Sequence, residues 1–207
     1  MESIILELQR DALDRSILVP DLLRKAFLIA HKLNISEFKV WTNRELNGYE
    51  NVEEVPDYRV VQGIIKAWKP FKGWQPVIFS DEKAQKTLSI KRFLHSISEI
   101  ETMINRDKKE FIHMPFPPSI GKQLQEAIGF ETQVTLMVPI SSLVRITDTV
   151  RTIILNWSLK LEEDGIIGEG LSFTPLEKEK SKLLSYCINN FYQSILSNHT
   201  IDEPIMH

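Results

Sequence analysis

The fold is decided by the stretch SLVRITDTVRTIILNWSLKLEED, which runs from Ser142 to Asp164. Apolar residues recur in it every three or four positions, the period of one helix face. They are Leu143, Ile146, Val150, Ile153 or Ile154, Trp157 and Leu161. Gly165 follows as a stop signal. The pattern therefore predicts a long helix with one buried face, about 33 Å in length at about 1.5 Å per residue.

A second C-terminal helix is predicted to begin at Thr174. The sequence Thr-Pro-Leu-Glu, residues 174–177, places a capping hydroxyl at N-cap, a proline at N1 and a glutamate at N3. One apolar face then continues through Leu184, Cys187, Ile188, Phe191 and Ile195. We expect two long C-terminal helices, with residues 199–207 as a tail.

The first fifty residues predict a unit of three helices. Their apolar stripes run over Glu2–Asp14, Pro20–Leu33 and Ser36–Gly48. Ser36 is expected to cap the third helix, and Gly48 to end it in a left-handed conformation. Pro20 suits the first turn of the second helix, and Asn34 is expected to end it.

Residues 51–140 are cut by seven prolines into pieces that are too short for long helices. Short strands are expected at Val60–Trp68, Pro76–Phe79, Phe111–Met114 and Thr132–Val138, and helices between them at Ser96–Ile104 and Ser119–Ile128. The fold class predicted for the whole chain is α+β and predominantly α-helical. We expect one domain over residues 1–198, made of a helical part (1–50), a mixed part (51–140) with a small central sheet, and the two long helices (141–198).

Composition limits the possible functions. The chain has 207 residues, of which 43% are hydrophobic, so it can build a core. Its net charge of -3 gives no long-range attraction for nucleic-acid phosphates, so we expect no nucleic-acid partner. The apolar runs are too short to span a membrane, and no targeting segment is visible, so we expect a cytoplasmic protein. The single cysteine, Cys187, excludes an internal disulfide.

The common catalytic and metal-binding motifs are missing, including the P-loop, the nucleophile elbow and the zinc-protease helix motif. The five histidines never stand three or four apart, so no helix face offers a pair of metal ligands. We therefore expect no cofactor and no metal, and an enzyme is the less favoured reading. A small-molecule ligand stays open.

Glu45 is the ionisable residue that disagrees with its surroundings. It follows Phe38 and Trp41 at i+7 and i+4, so its carboxylate is aligned with the stripe that its helix should bury. An unpaired carboxylate in that position would cost several kcal/mol. We expect an arginine partner, either Arg59 or Arg151. Such a pair is either a buried structural contact or part of a catalytic cleft.

Residues 41–59 also concentrate side chains that protein interfaces favour. The candidate interaction residues are Trp41, Arg44, Asn47, Tyr49, Tyr58 and Arg59. The alternative is purely local: a helix stop at residues 47–49 and a turn at residues 56–59. Stacking on single-stranded nucleic acid is a third possibility, which the charge balance disfavours.

The same residues carry a family resemblance. The segments PDLLRKA (20–26), IAHKL (29–33), WTNRELNGY (41–49) and VPDYR (55–59) resemble the AbiTii domain of bacterial abortive-infection and other anti-phage conflict proteins. Residues 146–162, with Gly165 and Gly168 after them, are similar to the C-terminal helix of that family. Glu45, Arg59 and Arg151 fall at motif positions. The resemblance supplies no catalytic residue set, and it implies a bacterial defence context.

Two functions are consistent with these observations. In the first, the chain is a noncatalytic adaptor or regulatory domain of an anti-phage system, which binds a protein partner or a second copy of itself through residues 41–59. In the second, it is an effector toxin that acts on a nucleotide or on RNA, with Glu45 and an arginine in its site.

Overall fold

The computed structural model of the protein describes residues 3–106, 110–183 and 191–193. They form two compact units, each discontinuous in sequence. The helical unit comprises Met1–Glu50, His95–Glu101 and Ile146–His207, and the sheet unit comprises Asn51–Leu94 and Thr102–Arg145. The fold class is α+β and predominantly helical, as the sequence predicted. No helix in the described ranges is long and apolar enough to cross a bilayer.

The helical unit begins with α1 (Ile4–Leu13), α2 (Val19–Leu33) and α3 (Ser36–Asn47). Asn34 ends α2 in the left-handed conformation, with φ of 58°. Ser36 does not cap α3 as predicted, because Ile35 occupies the N-cap position and makes no side-chain bond. Gly48 does take a positive φ of 92°, but its ψ of 173° is extended rather than left-handed helical.

The long helix predicted from residue 142 is α7 (Ile140–Glu163). Its apolar stripe is buried throughout, and Trp157 is one of the largest fully buried side chains of the protein. The indole of Trp157 stacks on the ring of Phe38 from α3, with centroids 3.8 Å apart and planes 12° apart. The 3.6-residue period of both helices therefore places two aromatic residues in one contact.

The capping box at Thr174 is confirmed. It opens α8 (Pro175–Leu183): the Thr174 hydroxyl accepts from the Glu177 N–H at 3.2 Å, and the Glu177 carboxylate accepts from the Thr174 N–H at 2.7 Å. The carboxylate also accepts from the N–H groups of Ile167 and Gly168. Partial burial raises the pKa of Glu177, but these hydrogen bonds outweigh it and lower the pKa overall. The apolar face predicted beyond Leu183, at Leu184, Cys187, Ile188 and Ile195, lies outside the described residues, as does the tail.

The residues of the sheet unit that the structure describes form six short strands. Four of them form an antiparallel sheet in the order β3-β2-β6-β5, and the other two, β1 and β4, form a separate pair. The strands are β1 (Val60–Gln62), β2 (Ile64–Lys69), β3 (Gly73–Pro76), β4 (Ile90–Arg92), β5 (Phe111–Pro115) and β6 (Val134–Pro139). The helices are α4 (Glu82–Ser89), α5 (Ile97–Arg106, whose first five residues belong to the helical unit) and α6 (Pro118–Ile128).

The predicted strand over Val60–Trp68 is split at Gly63, and the reason is steric. A Cβ added at Gly63 would lie 2.7 Å from the carbonyl oxygen of Met137 and 2.8 Å from Leu136 Cδ1. The N–H of Gly63 donates to the carbonyl of Ser89 at 2.8 Å. The close approach of β6 thus requires glycine where β1 ends and β2 begins.

Two further predictions for residues 51–140 differ from the structure: the position of one strand, and the number of elements. A strand was expected at Pro76–Phe79. The observed strand is β3, which begins at Gly73 and ends at Pro76, because these residues pair with β2 in a hairpin. The elements α4 and β4 were not predicted. Most of α4 is exposed and polar, so it shows no clear apolar stripe.

Candidate functional site

Glu45 lies in the interior of the protein, as its alignment with Phe38 and Trp41 predicted. Its side chain is fully buried, and one oxygen accepts a hydrogen bond from the hydroxyl of Tyr49 at 2.6 Å. Tyr49 lies two residues beyond the last residue of α3 and is itself buried. The sequence left Tyr49 open between an interface and a helix stop at residues 47–49, and it did not identify Tyr49 as the partner of Glu45.

The two arginines proposed for Glu45 have different surroundings. Arg59 is fully buried in the sheet unit and donates to the carbonyl of Phe93 at 3.0 Å, while the Phe93 N–H donates to the Arg59 carbonyl at 3.0 Å. Its pairing with Glu45 stays a prediction. Arg151 instead donates to backbone carbonyls around the end of α1, those of Asp11, Ala12, Asp14 and Ile17. These hydrogen bonds stabilise the loop that connects α1 and α2.

The other residues predicted for an interface are mostly internal. Trp41 and Tyr58 are each 5% exposed and Tyr49 is 6% exposed. Arg44 is half-buried, and the exposed Asn47 donates to the carbonyl and side chain of Asn43. The aromatic rings of residues 41–59 are therefore core groups, which a partner could not contact directly.

The four-stranded sheet has a different arrangement of aromatic residues. Directly opposed residues of paired strands share a face, so the register assigns each side chain to one side. Ala67 is on the side that α6 covers, where a cleft of about 370 Å³ is lined by Ala67 together with Leu124, Ala127 and Ile128. The opposite side carries Lys66, Trp68, Trp74, Phe111 and His113. We call this side the aromatic face.

The rings on the aromatic face are in contact with one another. Trp68 and Trp74 lie edge to face with centroids 5.5 Å apart, and Trp74 and His113 lie edge to face at 5.0 Å. The ammonium of Lys66 is 5.6 Å from the centroid of the Phe111 ring, within cation–π range. Trp68 is 45% exposed and His113 is exposed, so the cluster is accessible to solvent.

One end of the aromatic face is extended by the hairpin between β2 and β3. Its tip is Phe71, which is fully exposed and has a φ of 65°, a conformation that bulky residues rarely adopt. Next to the hairpin lies a groove of about 480 Å³ with Trp68, Pro70, Trp74 and Phe130 among its lining residues. Exposed aromatic residues on a strained tip are typical of loops that contact something else.

The charge of the protein is unevenly divided. The sheet unit has 13 basic and 9 acidic residues, a net charge of +4, whereas the whole chain carries -3. Lys66 stands on the aromatic face, Lys69 and Lys72 flank the hairpin tip, and Arg106 lines a cleft with Phe111 and His113 at the far edge. None of the strand residues that the register assigns to the aromatic face is an aspartate or glutamate.

The aromatic face was missed at the level of sequence. Its members come from three strands separated by up to 47 positions, and β3 had been placed three residues too late. The alternation of Lys66, Ala67 and Trp68 was the available signal, since it sets a polar and an aromatic side chain on one side of a strand. Among the residues that the structure describes, no three His, Cys, Asp or Glu side chains come together as a metal site would require.

Comparison with known proteins gives one match. The model of the family described as AbiTii matches residues 3–186. No curated protein and no solved structure gives a significant match.

Proposed function

This chain belongs to the AbiTii family, and from that premise we propose that it is an anti-phage module of the abortive-infection type that works by binding. Its role is that of a noncatalytic adaptor or regulatory domain inside the bacterial cell. The binding surface is the aromatic face of the sheet unit rather than residues 41–59. The observation that supports this proposal most directly is the exposure of Trp68 beside Trp74 and His113.

Exposed aromatic rings of this kind are better explained by a role in binding a partner than by a role in stabilising the fold. Large aromatic side chains contribute to stability chiefly when they are buried, yet Trp68 keeps 45% of its surface exposed and His113 beside Trp74 is exposed as well. Tryptophan is also enriched among the residues that dominate binding energies. A rigid sheet that presents such residues in fixed contact loses little side-chain entropy on binding.

The surroundings of Glu45 favour an architectural role over catalysis. A general acid or base must come within hydrogen-bond reach of its substrate. Glu45 has no exposed surface and accepts a hydrogen bond from Tyr49. The carboxylate that motivated the toxin hypothesis is therefore better explained as a contact that stabilises the end of α3.

The test is a phage-protection assay with the chain expressed from its native locus. The double variant Trp68→Ala, Lys66→Gln should lose protection while its abundance and melting temperature stay close to those of the parent. Lys122→Gln is the matched control, because Lys122 is an exposed cation on α6, which covers the other side of the sheet. Full protection by the double variant would refute the proposed surface. If Glu45→Gln abolished protection at unchanged stability, the toxin hypothesis would gain instead.

A further inference from the structure

We propose that the aromatic face binds single-stranded nucleic acid, with bases stacked on its rings and phosphates held by the cations around it. The inference rests on the proposed function, since it names the partner of that binding surface. It departs from the expectation drawn from the net charge of the whole chain.

The rings provide stacking surface for unpaired bases. Trp68, Trp74 and His113 form a row of rings in which each ring contacts the next edge to face, with successive centroids 5.5 and 5.0 Å apart. Every base has a flat π-face, so such a row binds without requiring a particular sequence. Four-stranded sheets that stack two or three bases on exposed aromatic residues are an established mode of single-strand recognition. A base-paired duplex would keep its bases stacked within the helix and offer none to these rings.

The cations border the row on both sides. Lys66 is a residue of the aromatic face, and Lys72 lies in the hairpin between β2 and β3. Arg106 lines the cleft beside His113. A strand that crosses the face from the hairpin to β5 therefore passes three cations. The net charge of +4 on the sheet unit adds attraction for a polyanion that the average over the whole chain conceals.

The type of cation favours nucleic acid over a protein partner. Protein interfaces are enriched in arginine and aromatic residues but depleted in lysine. Two of the three cations that border the row, Lys66 and Lys72, are lysines, and the third is Arg106. Lysine acts on phosphate as a point charge, with no need for the paired geometry that carboxylates favour from arginine. Because neither stacking nor phosphate contact involves the 2′-hydroxyl, DNA and RNA single strands should bind with similar affinity.

The experiment measures binding of the full chain to labelled oligonucleotides of about ten nucleotides, by fluorescence anisotropy. The probes are oligo-dT, oligo-rU and a DNA duplex of the same length. We expect both single strands to bind and the duplex to bind at least about tenfold more weakly, since the stacking contribution is lost. Three contacted phosphates should give a slope of about -2 in a plot of log affinity against log salt concentration.

Two variants test the assignment to this face. Trp68→Ala should weaken binding of both single strands about 5- to 150-fold, which corresponds to about 1–3 kcal/mol. Lys66→Gln should reduce the salt slope by about 0.7. Lys122→Gln should alter neither quantity. Trp68→Leu guards against a folding defect, because it keeps an apolar side chain on the strand but removes the stacking ring, so it should also weaken binding.

The outcomes separate this inference from the proposed function. If neither single strand binds the parent chain, or if Trp68→Ala and Trp68→Leu bind like the parent, the inference is wrong. Duplex binding equal to single-strand binding would also overturn it. If the oligonucleotides fail to bind while the double variant still loses phage protection, the face is functional and its partner is a protein. If the oligonucleotides bind but protection survives the double variant, the nucleic-acid site is real and the proposed role in defence fails.

Discussion

The hydrogen bond between Tyr49 and Glu45 gives the sharpest test of the architectural role of that carboxylate. Tyr49→Phe removes only the hydroxyl, so the ring keeps its packing. The carboxylate then loses a donor 2.6 Å away in a site where neither side chain has more than 6% of its surface exposed. Water has little access to replace the lost hydrogen bond.

The magnitude follows from the charge of the acceptor and from burial. Hydrogen bonds to charged groups contribute about 1.5–3 kcal/mol to stability. For a chain of this size, 1 kcal/mol shifts the melting temperature by about 2–4 °C. We therefore expect Tyr49→Phe to lower the melting temperature by about 3–12 °C in a scan followed by circular dichroism, with an unchanged far-ultraviolet spectrum at 20 °C.

A double-mutant cycle with Glu45→Gln isolates the contact between the two side chains. The two single variants and the double variant should show a coupling energy of at least about 0.5 kcal/mol, since residues in direct contact are not additive. A melting temperature of Tyr49→Phe within about 1 °C of the parent would refute the reasoning. So would additive effects, because they would mean that Tyr49 stabilises the chain independently of the carboxylate.

Three further predictions concern stability. Gly63→Ala should destabilise the sheet unit by about 1–3 kcal/mol in urea titrations, because its Cβ would collide with the carbonyl of Met137; a stable variant would show that β6 can move. Glu177→Gln should lower the melting temperature at pH 7, whereas Glu179→Gln, on the exposed side of α8, should not. The lowered pKa of Glu177 means that its stabilisation is complete above the ordinary value of 4.5 and is lost as the pH falls through the folded-state pKa, so the two variants should converge in acid. Arg151→Met should speed amide hydrogen exchange in the last turn of α1, which Arg151→Lys would restore only in part because lysine cannot reach several carbonyls at once.

Residues 41–59 show how one segment can support two interpretations until the burial of its side chains is known. The spacing of Phe38, Trp41 and Glu45 correctly placed the carboxylate on a buried stripe, because helical period is a local property. The same segment was also expected to offer Trp41, Tyr49 and Tyr58 to a partner, and the structure buries all three. Aromatic residues serve cores and interfaces equally well, so composition alone does not separate the two.

Local sequence patterns were enough to predict most of the helices, the α+β class and the family. Each depends on neighbouring residues: the stripe of α7, the capping box at Thr174 and the motif from Trp41 to Tyr49 can all be read along one segment. The contact of Trp68 with Trp74, and of Trp74 with His113, on one side of a sheet within a basic unit is visible only in the folded chain. The physical reason is that strand pairing joins residues distant in the chain, and a shift of one residue in register would move each side chain to the opposite face.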